Sequence, residues 1–457
     1  MTRDLTRWLR LFMLALLMVF AAARPAAAQS ILRDAETELL FRDISKPLVQ
    51  AAGLDPANVR VVLLNDPEVN AFVAGGQIVY IHSALLLAAD NVNEVQGVVA
   101  HELGHVAGGH IIRMHDGAKE ATGITLLSLL VGVAAMAAGA PPDAGMGIMM
   151  AGQRAAMGKF LAFTRAQESS ADLAGAGYLS RAGVSGKGSL SFFKKLQNQE
   201  FRLAVYAKDS YDRTHPLSSE RIQSLTEVYQ KDPAWNRPAD PALEARFQRI
   251  KAKLQGYIDP KRAAVLYPES DKSVPAHYAR AYAYHLGAYP DKAISEADAL
   301  LATAPDDPFF LELKGQILLE SGRPREAVPV LRQAVKLAPD QPLIAALLGH
   351  AMISTEDKSL FAEAKQVLKN AVNRDNENPF AWYQLGIIYD REGDQARAAL
   401  ASAERNNLEG KPKLALASAR TAMRGIPQGT ADYLRAQDIA MVSEAEIKKD
   451  KKGKRDQ

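Results

Sequence analysis

The chain has 457 residues, 48% hydrophobic and 23% charged, with 55 Lys and Arg against 52 Asp and Glu for a formal net charge of +3. Such a composition suits a globular chain of about three domains with ample core, and so small a charge argues against nucleic acid as an obligatory partner. The absence of cysteine excludes a disulfide framework, anchoring through a lipidated cysteine and any thiolate metal site.

The start reads as an export signal. Arg3, Arg7 and Arg10 form a positive segment, residues 11–23 are an apolar run short for a membrane span, and Ala26-Ala27-Ala28 before Gln29 fits a cleavage site of small residues. The expectation is a signal peptide over 1–28, a mature chain from Gln29 and a periplasmic location. Residues 30–58 read as mainly helical, closed by Gly53 and Pro56. Val59 to Leu64 reads as a strand ended by Asn65-Asp66-Pro67, and Gln77 to Ile81 as a second, after a Gly75-Gly76 turn. Between them, Asn70, Ala71 and Phe72 are the candidate sheet edge on which an extended peptide substrate adds a strand. An ordinary core hairpin is the alternative.

His101-Glu102-Leu103-Gly104-His105 follows. On a helix the two histidines share a face and can present their imidazoles to one cation. H-E-x-x-H is a recognised zinc-protease pattern, in which the glutamate is the general base. Asn91 to Glu94 supplies caps, and Val95, Val98, Val99, Leu103 and Val106 an apolar stripe. A catalytic zinc normally has three protein ligands. The metzincin spacing requires a histidine at position 111, which is Ile111, so His110 and His115 are expected as helix-end or surface residues. Glu168 is the better third ligand. It lies in Thr164-Arg165-Ala166-Gln167-Glu168-Ser169-Ser170-Ala171-Asp172, a helical segment in which Asp172 shares its face and can orient a ligand histidine.

Between these helices, residues 124–151 are almost wholly apolar and broken by Pro141-Pro142. They read as a helical hairpin that contacts a membrane or covers the active site, with a core helix as the alternative. Further on, His215 stands before Pro216, and Arg221 lies in the helix that Ser218 or Ser219 starts. A histidine on such a loop can donate to a developing oxyanion, or occupy the metal's open position and silence the site. Pro233, Pro238 and Pro241 then mark a linker with a helix after it.

The last part is repetitive. Trp382, Leu385, Gly386 and Tyr389 fit the tetratricopeptide signature, and Ala293 and Ala327, like Pro305 and Pro339, are 34 residues apart. Four units are expected near 274–307, 308–341, 342–378 and 379–412, the third with an insertion near Thr355 to Leu360. Stacked helix pairs of this kind offer a concave groove to a protein segment. The division is therefore 1–28 signal, 29–230 catalytic, 231–273 linker helix region, 274–445 repeats, and a basic disordered tail at 446–457.

In this order, Asn70-Ala71-Phe72, His101 to His105, Glu168-x-x-Ala171-Asp172, and Thr214-His215-Pro216 with Arg221 resemble the HtpX/Oma-type family of H-E-x-x-H gluzincin metallopeptidases. Thr164 departs from the serine common in that family. The resemblance implies an α+β zincin-like domain, mostly helical with a small sheet, followed here by an all-α tetratricopeptide solenoid. It implies one Zn²⁺ on His101, His105 and Glu168, with Glu102 as base, Asp172 as orienting carboxylate, and His215 with Arg221 as oxyanion support or switch. Joined to an export signal and repeats, it resembles exported proteases that tend outer-membrane β-barrels. Protein or peptide substrates, the outer-membrane β-barrel assembly machinery and peripheral membrane contact are the implied partners. A periplasmic chaperone or scaffold with a latent metal site is the alternative.

Overall fold

The structure, a computed structural model, describes residues 30–137, 141–203, 215 and 218–453. The expected signal peptide, together with Thr214 and Pro216, lies outside the described residues.

Strand β1 (Ser30–Leu32) leads into helix α1 (Ala35–Ala51), whose N-cap Asp34 accepts from the Thr37 backbone N–H at 2.9 Å. Leu40, Phe41, Ile44 and Leu48 recur at helical spacing along α1 and are fully buried. Strands β2 (Arg60–Asn65), β3 (Ala71–Ala74) and β4 (Ile78–His82) complete a four-stranded mixed sheet of order β1-β2-β4-β3. β2 and β4 are parallel, with Arg60 opposite Ile78 and Leu64 opposite His82. β3 runs antiparallel to β4, Ala71 facing Ile81, and is an edge strand. β1 was not expected, because three residues are too few to show a two-residue period.

After the short α2 (Ser83–Ala88) comes α3 (Val92–Gly108), which carries the H-E-x-x-H residues. Asn91 caps it by accepting from Glu94 N at 3.0 Å, and the Glu94 carboxylate accepts from Asp90 N at 2.8 Å. From Val92 to His105 only Asn93 is not buried, because neighbours cover α3 on every side. Helices α4 (His110–Ala137) and α5 (Pro142–Ala182) form a long antiparallel hairpin. At about 1.5 Å per residue they extend about 42 and 62 Å. Around the hairpin bend Leu126, Leu127, Leu130, Val133, Met146 and Met150 are exposed, and the stretch Ile112–Met136 is long and apolar enough to cross a membrane.

α6 (Lys187–Leu203) and α7 (Ser219–Gln230) close the catalytic part. The segment expected as a linker contains α8 (Pro241–Ile258) and α9 (Pro260–Leu266). α8 does more than connect. Its Phe247, Ile250 and Leu254 join the same core as Val95, Val99 and Leu103 of α3.

Helix pairs then stack along the chain: α10 (Val274–Leu286) with α11 (Pro290–Thr303), α12 (Pro308–Glu320) with α13 (Pro324–Leu337), α14 (Pro342–Ser354) with α15 (Phe361–Arg374), and α16 (Pro379–Arg391) with α17 (Gln395–Leu408). A 3₁₀ turn at Lys358–Leu360 absorbs the insertion in the third pair. α18 (Pro412–Gly425) and α19 (Ala431–Gly453) follow. Residues 446–453, expected in a disordered tail, are instead the end of α19.

One buried carboxylate ties the two parts together. Glu36 of α1 accepts from Tyr278 Oη at 2.8 Å and Lys253 Nζ at 3.2 Å, and pairs with Arg249. Arg249 also reaches Asp307, the N-cap of α12, at 2.7 Å. Beside this node Ala35 packs with Phe309, Leu311 and Ile344 of the repeats.

Candidate metal centre

Two crossing helices bring the donors together. α3 presents His101 and His105 one turn apart, and α5 presents Glu168 and Asp172 one turn apart. The crossing is close because it is made of small residues. A Cβ on Gly104 would lie 2.6 Å from the Ala171 carbonyl oxygen, and one on Gly175 would lie 2.9 Å from that of Ala100. His105 Nε2 stands 3.2 Å from His101 Nε2 and 3.3 Å from Glu168 Oε1, while His101 Nε2 is 3.4 Å from Glu168 Oε2. His215 joins them, its Nδ1 3.3 Å from His101 Nε2 and 3.2 Å from Glu168 Oε2. One donor atom from each of His101, His105, Glu168 and His215 lies within 4.8 Å of all the others.

A second layer holds these side chains. Asp172 Oδ1 is 2.9 Å from His101 Nδ1, though poorly aligned for a straight hydrogen bond. The Asp172 carboxylate also accepts two hydrogen bonds from Arg221, from Nε at 2.7 Å and Nη2 at 2.9 Å. Arg221 Nη2 lies 3.2 Å from Glu168 as well, and Phe193 sets its ring edge-on to His101 at 5.9 Å. His110, expected as a helix-end or surface residue, does open α4, but it is buried with its Nδ1 3.0 Å from His105 Nδ1. The left-handed Gly109 at φ 62° reverses the chain there and carries His110 back onto α3.

The charges follow from this packing. Burial pulls the His101 imidazole down, but Asp172 and Glu168 more than offset it and raise it to about 10. Burial also works against ionised Glu168 and Asp172, yet the histidines, and Arg221 for Asp172, hold both below the usual carboxylate range. His105 is pushed down by burial and by its charged neighbour His101, and His110 falls to about 4 through burial and the neighbouring His105. Without metal, then, the cluster keeps a proton on His101 beside two ionised carboxylates.

Glu102 is fully buried, and its two oxygens accept no hydrogen bond among the described residues. Its Oε1 lies 3.5 Å from His215 Nε2. The same Nε2 is 3.2 Å from the carbonyl oxygen of Ala71, the first residue of the edge strand. Ala71 and Asn70 are buried, and Phe72 stacks on Tyr80 with ring centroids 5.1 Å apart. The donor set of imidazole nitrogens and a carboxylate oxygen, beside a buried carboxylate that accepts no hydrogen bond among the described residues, fits a zinc ion.

Comparison with known proteins agrees with this geometry. Residues 35–229 match Peptidase family M48, and residues 310–341 match a tetratricopeptide repeat. The chain is 25% identical over 383 residues to the beta-barrel assembly-enhancing protease of Yersinia pestis, covering 81% of this chain and 76% of that protein. It is 26% identical over 387 residues to the protein of the same name in Escherichia coli (strain K12), covering 82% and 76%. Metalloprotease LoiP of the same organism is 31% identical over 181 residues, covering 39% of this chain and 64% of LoiP. With a candidate zinc site of His101, His105 and Glu168 inside it, the region 35–229 is a Peptidase family M48 region, tetratricopeptide repeats follow it, and the chain is a metallopeptidase.

Proposed function

We propose that the chain is a zinc-dependent endopeptidase of the periplasm, acting in quality control on misassembled outer-membrane or other envelope proteins. The observation that carries the chemistry is the gathering of four donors within 4.8 Å beside the buried Glu102 carboxylate, which accepts no hydrogen bond among the described residues. The names of the two long relatives support the choice of substrate. His101, His105 and Glu168 would hold the zinc, with Asp172 orienting His101. Zinc supplies Lewis acidity there, lowering the pKa of water toward ~7 and stabilising developing negative charge. Glu102 takes the proton of the attacking water and returns it to the leaving amine. Asn70, Ala71 and Phe72 form the edge on which the substrate adds a strand.

His215 is the fourth donor in the resting site. Because its ring also meets the Ala71 carbonyl, one movement of His215 clears both the metal centre and the start of the substrate edge. Arg221 keeps Asp172 and Glu168 in place in either state. The repeats bind substrate or the outer-membrane β-barrel assembly machinery. The exposed apolar end of the α4–α5 hairpin, flanked by Lys119, Arg154 and Lys159, makes peripheral contact with a membrane. A second reading, a chaperone or scaffold with a latent metal site, is favoured by the same closed position of His215.

Purified wild type, Glu102→Gln and His215→Ala, each assayed for bound zinc and for cleavage of an unfolded outer-membrane protein, test the proposal. Glu102→Gln should keep zinc and lose cleavage, and His215→Ala should cleave faster than wild type. Full activity in Glu102→Gln refutes the mechanism. Full cellular function with an inactive Glu102→Gln favours the chaperone.

A further inference from the structure

We propose that His110 is a positioning residue for the metal centre, accepting the Nδ1 proton of His105 and so fixing the tautomer in which His105 Nε2 faces the ion. The inference rests on the zinc reading above. His105 Nε2 is the nitrogen that points into the donor cluster, 3.2 Å from His101 Nε2 and 3.3 Å from Glu168 Oε1. A ligating imidazole nitrogen carries no proton, so the ring's proton belongs on Nδ1. Nδ1 faces His110 Nδ1 at 3.0 Å, and both rings are buried. Two N–H groups cannot face each other at that distance. His110 Nδ1 is therefore the acceptor, and its own proton sits on Nε2.

The local backbone is shaped to make this contact. Gly109 at φ 62° ends α3 and turns the chain so that His110 opens α4 with its ring folded back over Gly108. A Cβ built on Gly108 would stand 2.4 Å from His110 Nε2, 2.7 Å from Cδ2 and 2.9 Å from Cε1. Any side chain at 108 would push the ring off His105. Gly108, Gly109 and His110 thus act as one unit, with Gly108 giving the ring its place and Gly109 delivering it. His101 has a carboxylate behind it in Asp172, whereas His105 has a neutral ring. The site therefore orients both ligands while placing only one extra negative charge beside the ion.

The test uses the full chain and measures zinc affinity by competition with a chelator, with metal-free Tm recorded for each variant. His110→Ala should weaken zinc binding about 10–100-fold, the usual effect of removing a group that orients a ligand. His110→Asn, whose amide oxygen can accept the same proton, should recover most of that loss. Gly108→Ala should reproduce the loss, and the double variant should be no weaker than either single one, because both act through one ring. His110→Ala binding zinc like wild type overturns the assignment, as do equal losses in His110→Ala and His110→Asn or losses that track metal-free Tm. Wild type that binds no zinc refutes the metal reading as well, so the two failures are distinguishable.

Discussion

Replacing Gly104 with alanine adds one carbon at the crossing of α3 and α5, the crossing that makes the donor cluster. That carbon would stand 2.6 Å from the Ala171 carbonyl oxygen and 2.8 Å from Ala171 Cα, against an ordinary contact of at least 3.4 Å. The difference, 3.4 − 2.6 Å, asks the helices to part by about 0.8 Å, since the obstructing atoms are backbone and cannot rotate away. Overpacking costs about 1–3 kcal/mol, while Gly→Ala within a helix returns about 1 kcal/mol of propensity. The net loss of stability is then small, about 0–2 kcal/mol. The effect on the site is larger, because parting α3 from α5 separates the histidines from Glu168, and a misplacement of about 1 Å costs about 10²-fold in rate. Gly104→Ala should therefore lose about 10²-fold in kcat/KM on an unfolded protein substrate, with weakened zinc binding and a Tm within a few degrees of wild type. Gly123→Ala, where an added Cβ meets nothing within 4 Å, is the matched control. Unchanged kcat/KM and zinc affinity in Gly104→Ala would show that the crossing does not set the donor geometry.

Asp172→Asn should weaken zinc binding about 10–100-fold and destabilise the fold by about 3–5 kcal/mol, because it removes the charged, two-point partner of the buried Arg221; chelator competition and urea unfolding read the two effects. In metal-free protein, His101 is raised from 6.5 to about 10, so its contribution is complete below 6.5 and lost as pH rises through about 10. Asp172 is lowered, so its share is present above its usual 3.8 and lost as pH falls through its folded value. Tm measured in chelator should accordingly decline from pH 7 to 10, and a flat profile over that range contradicts the assignment. Zinc binding at pH 7 should release about one proton from His101, seen as a buffer-dependent calorimetric heat; the same heat in buffers of different ionisation enthalpy contradicts it. Glu36→Ala should cost about 3–5 kcal/mol and split denaturant unfolding into two steps, as the catalytic part and the repeats lose their shared carboxylate. A single transition with the wild-type midpoint would count against that role.

Much of the site could be read from the sequence because its pieces are helical. His101 and His105, and Glu168 and Asp172, are pairs four apart, and that spacing alone puts each pair on one face. The helix pairs of the solenoid could be read from the 34-residue recurrence of Ala293 and Ala327. His110 was hidden because its place depends on a single left-handed residue, Gly109, and spacing counted along a continuous helix cannot allow for a reversal. Nor could the sequence show that Gly104 and Ala171 touch, since that needs the crossing of two helices. α8 looked like a connector because prolines flank it and its surface is polar, yet its buried face belongs to the catalytic core.

The Glu36 node has a mechanical consequence. The buried Glu36 network joins α1 and α8 to the first repeats, so the repeats are fastened to the catalytic part rather than hung from it by a free linker. Under the proposed function, a client gripped by a fastened solenoid reaches the metal centre only through slack of its own, which a stalled barrel trailing a loose strand has and a finished one lacks.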